Sequence, residues 1–103
     1  MEQALQATAE PRRRQIHILV QDMELSAGTI ASHFSVTRPA ISQHLRVLTA
    51  AGLVTVRKER TRRMYSARPE GLAEIRSFLQ IFWGTRLQAF AREAEAKERR
   101  IQQ

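Results

Sequence analysis

Between Ser26 and Gly52 the chain carries apolar residues at helical spacing on both sides of a break that no single helix can span. Ile30, Ala31 and Phe34 line one face of a short segment, for which Ser26 is the natural N-cap. Ser35, Val36 and Thr37 then interrupt the period. Thr37 can cap a second helix, Pro39 suits its first turn, and Ile41, Leu45 and Leu48 keep one face apolar until Gly52 offers a C-terminal stop. The reading is a short helix over residues 27–34, a three-residue turn, and a longer helix over 38–50. Helices this short are marginal alone, so the pair must pack against each other and against the rest of the chain.

The flanks complete a small architecture. Leu53 to Val56 and Met64 to Ser66 have strand character, and Lys58 to Thr61 is polar, which predicts a two-stranded hairpin. Its tip lacks glycine and carries Arg60-Thr61, which suggests a loop wider than two residues. Upstream, Ile16, Leu19, Val20 and Met23 predict a helix over 11–22, with a shorter one over 2–9 before it. Downstream, Pro69-Glu70-Gly71 opens a last helix over about 69–98, with Leu72, Ile75, Leu79, Phe82, Trp83, Leu87 and Phe90 on its apolar side. With 103 residues there is room for one core. The expected class is mainly α with a small β-hairpin wing, a single domain over 1–103.

Charge narrows the function. The net charge is +7, from 17 basic and 10 acidic residues. Residues 1–37 hold three arginines against four acids, and residues 69–103 hold six basic groups against five. The whole excess therefore lies in residues 38–68, where eight basic side chains face Glu59 alone. Such a field attracts a polyanion, with nucleic acid first and an anionic membrane surface second. A basic face kept only for solubility is the plain alternative. No run approaches the ~20 apolar residues of a membrane span, the first ten residues lack the features of a secretory leader, and there is no cysteine for disulfide, thiolate or zinc chemistry. A cytoplasmic protein is expected.

The second helix of the pair has the chemistry of a DNA reader. Arg38, Ser42, Gln43 and Arg46 lie off the stripe of Ile41, Leu45 and Leu48, with Thr37 and Pro39 at the helix start. Glutamine bonds bidentately to adenine, arginine to guanine, and serine to base or phosphate. Five basic groups in the seven residues from Arg57 to Arg63 (Arg57, Lys58, Arg60, Arg62 and Arg63, with Thr61 between) suit phosphates or a minor groove. For any one of these residues a phosphate contact is as good a reading as base readout.

The segments PRRRQIHIL, ELSAGTIASHFSVTRPAISQHLRVLTAAGLVTVRKERTRRMYSARPEGL and the aromatic helix beyond them resemble the ArsR-type winged helix-turn-helix transcriptional regulators of bacteria and archaea. The resemblance covers residues 10–90, and RPAISQHLRVLTAAGLV is its most specific part. It implies a homodimeric repressor that binds a near-palindromic operator and releases it on a signal. Metal-sensing members carry Cys-x-Cys where Ser26 and Gly28 stand here, and a second type uses Asp, His and Glu on the last helix, where residues 70–103 hold no His and no Asp. No metal and no cofactor are expected. The turn position where glycine is common is Ser35, which would cost about 1 kcal/mol if its φ were positive.

His17, His33 and His44 have no spacing that gathers ligands, and His44 is expected to pack or bond at the base of the second helix. No phosphate loop or nucleophile turn supports catalysis. Four of the six aromatic residues, Phe78, Phe82, Trp83 and Phe90, fall on the last helix, more than one side of a small monomer covers. Together with Leu87 they predict a dimer interface, which would place two reading helices about one DNA turn apart. The reading head and wing occupy about 26–67. The rival reading is a small basic winged-helix module for RNA or protein scaffolding.

Overall fold

In the computed structural model, residues 1–102 are described, with the side chains at positions 85, 87, 101 and 102 outside the description. The order is α1 (Glu2–Thr8), α2 (Pro11–Leu19), β1 (Leu25–Ser26), α3 (Ala27–Ser32), α4 (Arg38–Ala50), β2 (Val54–Glu59), β3 (Arg62–Ala67) and α5 (Pro69–Gln102). Helices α2, α3 and α4 each start where a side chain satisfies an orphan N–H group. Glu10 accepts from the Arg13 N–H at 2.8 Å, Ser26 from the Thr29 N–H at 3.2 Å, and Thr37 from the Ala40 N–H at 3.3 Å. Gly52, at φ 77°, ends α4 in the left-handed region that its missing Cβ makes cheap.

The core is the apolar face of α4 closed by its neighbours. Ile41, Leu45 and Leu48 meet Ile16 and Val20 of the α2 region, Ile30 of α3, Leu53 and Val54 at the root of the hairpin, and Ala4 and Ala7 of α1. Among the described residues of α5 only Ile75 joins them fully, and the first turn is docked by a close approach: a Cβ on Gly71 would lie 2.2 Å from the Gly52 carbonyl oxygen. From Arg76 through Trp83 every side chain of α5 is exposed. The helix runs 34 residues, about 51 Å at 1.5 Å per residue. The radius of gyration is accordingly 19.0 Å, where a compact chain of this length has about 13 Å.

The sheet has three strands in the order β1-β3-β2, all antiparallel. The two-residue β1 pairs Leu25 with Tyr65 and Ser26 with Met64, a strand the sequence pattern does not announce.

Several expectations change. The α2 helix stops at Leu19 instead of residue 22, since Val20 and Gln21 donate back to Ile16 and Ile18 in a closing turn, and Met23 is exposed instead of joining the apolar face. Helix α3 stops at Ser32, short of residue 34. The wing loop is not wide: Glu59 pairs with Arg62, leaving only Arg60 and Thr61 between the strands, and Arg60 takes φ 57° where a glycine would be at ease. Ser35 carries no such strain, because Arg60 is the one non-glycine residue with positive φ among those described. Helix α5 continues past residue 98 to Gln102.

Candidate nucleic-acid interface

Helix α4 turns one face away from the core. With its core side fixed by Ile41, Leu45 and Leu48, the outward arc carries Arg38, Pro39, Gln43 and Arg46, all exposed, and half-buried Ser42 on one flank. Successive residues turn about 100°. Ser42 and Gln43 therefore point in different directions, and the structure separates them: Ser42 lines a cleft of about 790 Å³ between α4 and the wing, and Gln43 does not. Arg38, Arg46 and Thr49 line the same cleft from the helix, and Thr61, Arg62 and Arg63 from the wing. Ala50 at the end of α4, Val56 and Tyr65 of the sheet and Ser26 to Gly28 complete it. Of these, Thr49 was legible as the residue seven positions after Ser42 on one helix face; Ser26 to Gly28 arrive only through the pairing of β1 with β3.

The basic groups of the wing are not equivalent. Arg57 donates through Nε to Glu24 at 3.1 Å and through Nη2 to the other Glu24 oxygen, and Nη2 also reaches Glu59 at 3.1 Å. The Arg57 hydrogen bonds hold the Glu24 carboxyl below the usual carboxylate range, and the same pair raises Arg57. Among the described residues Lys58, Arg60, Arg62 and Arg63 have no carboxylate within ion-pair distance, nor do Arg38 and Arg46. The cationic surface is thus α4 plus the far part of the wing, with Arg57 fastening its root.

The histidines stand apart. His17 is buried, its Nε2 accepts from the Gln21 amide Nε2 at 3.3 Å, and burial pushes its pKa down. His33 Nδ1 lies 2.9 Å from the Thr29 carbonyl oxygen. His44 lies midway along α4 and not at its base; its Nδ1 is 3.9 Å from Glu10 Oε2 and makes no hydrogen bond. For Glu10, desolvation alone would raise the pKa, but the N–H groups of Arg13 and Arg12 and the neighbouring His44 and Arg13 charges bring it below its ordinary value. Among the described residues no three of His, Cys, Asp and Glu gather into a metal-binding group. No described helix is long and apolar enough to cross a membrane.

On α5, Phe78 and Phe82 stack at 6.1 Å between centroids, Trp83 meets Phe82 edge-on at 5.2 Å, and the Arg86 guanidinium sits 4.7 Å over Phe82. Phe78, Phe82, Trp83 and Phe90 remain 40%, 44%, 47% and 71% exposed, so the first three rings contact one another without being covered. Leu87, expected in the same patch, has its side chain outside the described residues. A shallow apolar groove of about 570 Å³ runs beside them, walled by Leu72, Ile75, Leu79 and Trp83.

Residues 10–56 match the model of the bacterial regulatory protein arsR family. The chain is 42% identical over 90 residues to the HTH-type transcriptional regulator Rv2034 of Mycobacterium tuberculosis, covering 87% of this chain and 84% of that protein. It is 34% identical over 77 residues to the arsenical resistance operon repressor of Staphylococcus xylosus, covering 75% of this chain and 74% of that one. Among solved structures it is similar to the homodimeric winged helix-turn-helix DNA-binding domain of Mb0332 from Mycobacterium bovis, at 29% identity and a TM-score of 0.66, over 81% of this chain and 77% of that one. The α3–turn–α4 unit, the three-stranded wing and the matching sequence agree, and the chain belongs to the ArsR family of winged helix-turn-helix transcriptional regulators, which are DNA-binding proteins and not enzymes.

Proposed function

We propose that this chain is a homodimeric repressor that recognises a near-palindromic operator in duplex DNA, working in the cytoplasm on the nucleoid. In this reading α4 enters the major groove with Thr37, Arg38, Pro39, Ser42, Gln43 and Arg46 toward the DNA. The wing follows with Arg57, Lys58, Arg60, Thr61, Arg62 and Arg63, Arg57 serving mainly to hold its root. Two copies join through α5, with Phe78, Phe82, Trp83, Leu87 and Phe90 at the interface and α1 beside it. The observation that carries the reading is that, among the described residues, the cationic side chains of α4 and of the far part of the wing have no ion-pair partner, and the aromatic side chains of α5 stand exposed. Aromatic anchors of this kind commonly supply the centre of an interface. The repressor role and the dimer are supported by the S. xylosus and M. bovis relatives.

Selection of bound duplexes from a random 30-base-pair library tests the proposal. It is expected to enrich an inverted repeat with half-site centres about 10 base pairs apart. Equal binding of selected duplex, random duplex and RNA hairpins would favour a scaffold module instead.

A further inference from the structure

The first turn of α2 braces the α3–α4 pair from behind. Arg12 lays its guanidinium 4.9 Å over the Phe34 ring in the turn between the two helices, and Glu10, the N-cap of α2, stands beside His44 in the middle of α4. The brace matters because the core contacts of α4, made by Ile41, Leu45 and Leu48, are apolar and have no direction of their own. A helix with its side chains has a radius of about 5–6 Å, so turning it by about 10° on its axis carries a side-chain tip through roughly 1 Å, enough to spoil a hydrogen bond to a base edge. His44 follows Gln43 directly in the chain, so what fixes the His44 ring also fixes the direction of Gln43.

The His44–Glu10 contact is unfinished. Nδ1 of His44 is buried without a hydrogen bond, the one such side-chain atom among the described residues, and Glu10 Oε2 lies 3.9 Å away. The other charged groups around α4 are turned elsewhere. On α2, Arg12 donates to Gln15, Arg13 to the Ala7 and Gln6 carbonyls, Arg14 to those of Thr8 and Ala9, and His17 accepts from Gln21. Helix α1 contributes only Glu2, α3 has no titratable side chain, and His33 beyond it meets the Thr29 carbonyl. In the sheet Arg57 holds Glu24 and Glu59, and Arg62, Arg63 and Tyr65 line the wing cleft with Arg38 and Arg46 of α4 itself. At the start of α5 Glu70 pairs with Arg68, and Glu74 with the N-terminal amine. Glu10 is therefore the carboxylate that His44 faces. Histidine as a residue type changes charge between pH 5 and 8, and a proton on Nδ1 gives that nitrogen a hydrogen to donate to Oε2 in a charge-assisted bond.

We propose that Glu10 and His44 are positioning residues for base recognition: with a proton on Nδ1, His44 binds Glu10 and fixes the rotation of α4, and without it apolar contacts alone hold that angle. Preference for the operator over random duplex then rises as pH falls from 8 toward 6. The proposal rests on the proposed duplex recognition.

The test measures affinities of the full-length protein for the duplex it selects and for random duplex, at pH 8 and pH 6. The negative field of DNA acts on histidines alike in both complexes, so the selected-to-random ratio isolates positioning from general attraction. For wild type that ratio is expected to be about three- to tenfold higher at pH 6. Glu10→Gln keeps a side-chain oxygen for the Arg13 N–H and removes the charge, and should make the ratio the same at both pH values. His44→Asn puts an amide nitrogen, a donor at either pH, near the place of Nδ1, and should hold the ratio at the high value throughout; His44→Leu should hold it at the low one. Melting curves at both pH values show that each variant is folded. A wild-type ratio that does not move with pH, or a pH response that survives in Glu10→Gln, overturns the positioning role while duplex recognition stands. Failure of the wild type to prefer any duplex at either pH overturns the functional reading and this role with it.

Discussion

Arg57 and Glu24 meet across the middle strand of the sheet. Arg57 lies on β2 opposite Met64 of β3, and on the other side of β3 the same Met64 pairs with Ser26, two residues after Glu24. The two-pronged guanidinium–carboxylate contact therefore joins the edge strand β2 to the start of β1 over β3, and fixes where the wing leaves the body.

Glu24→Gln should loosen the wing without unfolding the domain. Amide exchange of β2 and β3 is expected to speed up, the melting temperature to fall slightly, and duplex affinity to drop although a negative charge has been removed. The sign with pH follows from the depressed Glu24 carboxyl: its contribution is present above the ordinary carboxylate value of 4.5 and is lost as pH falls through the lower folded value. Exchange rates at pH 7 and pH 4, compared between wild type and variant, check this.

Arg60→Gly separates folding from binding. Arg60 holds a left-handed backbone that costs a non-glycine residue about 1–2 kcal/mol, while glycine gives back roughly 0.5–1 kcal/mol in chain entropy. The variant is expected to be as stable as wild type or up to about 1 kcal/mol more stable, yet to bind duplex more weakly with a shallower salt dependence. Denaturant unfolding and titrations at several salt concentrations measure the two effects.

Gly71→Ala should be damaging for a different reason. The added Cβ would overlap the Gly52 carbonyl oxygen, which is backbone and cannot swing away. The start of α5 would have to lift from the α4–β2 turn, a cost of about 2 kcal/mol. Chemical unfolding reads it directly.

His17 makes stability fall on the acid side of neutrality. Burial lowers its pKa in the fold below the ordinary 6.5, so the unfolded chain takes up the proton first. Stability should be full above pH 6.5 and decline as pH drops toward the folded value. His17→Leu should flatten that decline, seen in unfolding curves between pH 7.5 and 5.5.

The helix pair was legible because its signals are local. Thr37, Pro39 and Gly52 bracket α4, and the structure begins and ends that helix at Arg38 and Ala50 as the spacing predicts. What was not legible depends on distant partners. The strand β1 is two residues long and exists only through Tyr65 and Met64, and Glu24 became part of the wing only because β1 carries it there. The narrow wing loop was hidden by Arg60, a residue type that does not advertise positive φ. The split between Ser42 and Gln43 needed the position of the wing, which one helix's periodicity does not contain.

Two copies joined through α5 are expected to present two reading heads to one duplex. Sedimentation equilibrium at tens of micromolar, free and with the selected duplex, addresses it most directly. The expected result is a dimer in both cases, two chains per duplex, and a shift toward monomer for Trp83→Ala with affinity for the second half-site lost. A stable wild-type monomer that binds the duplex one-to-one would contradict it.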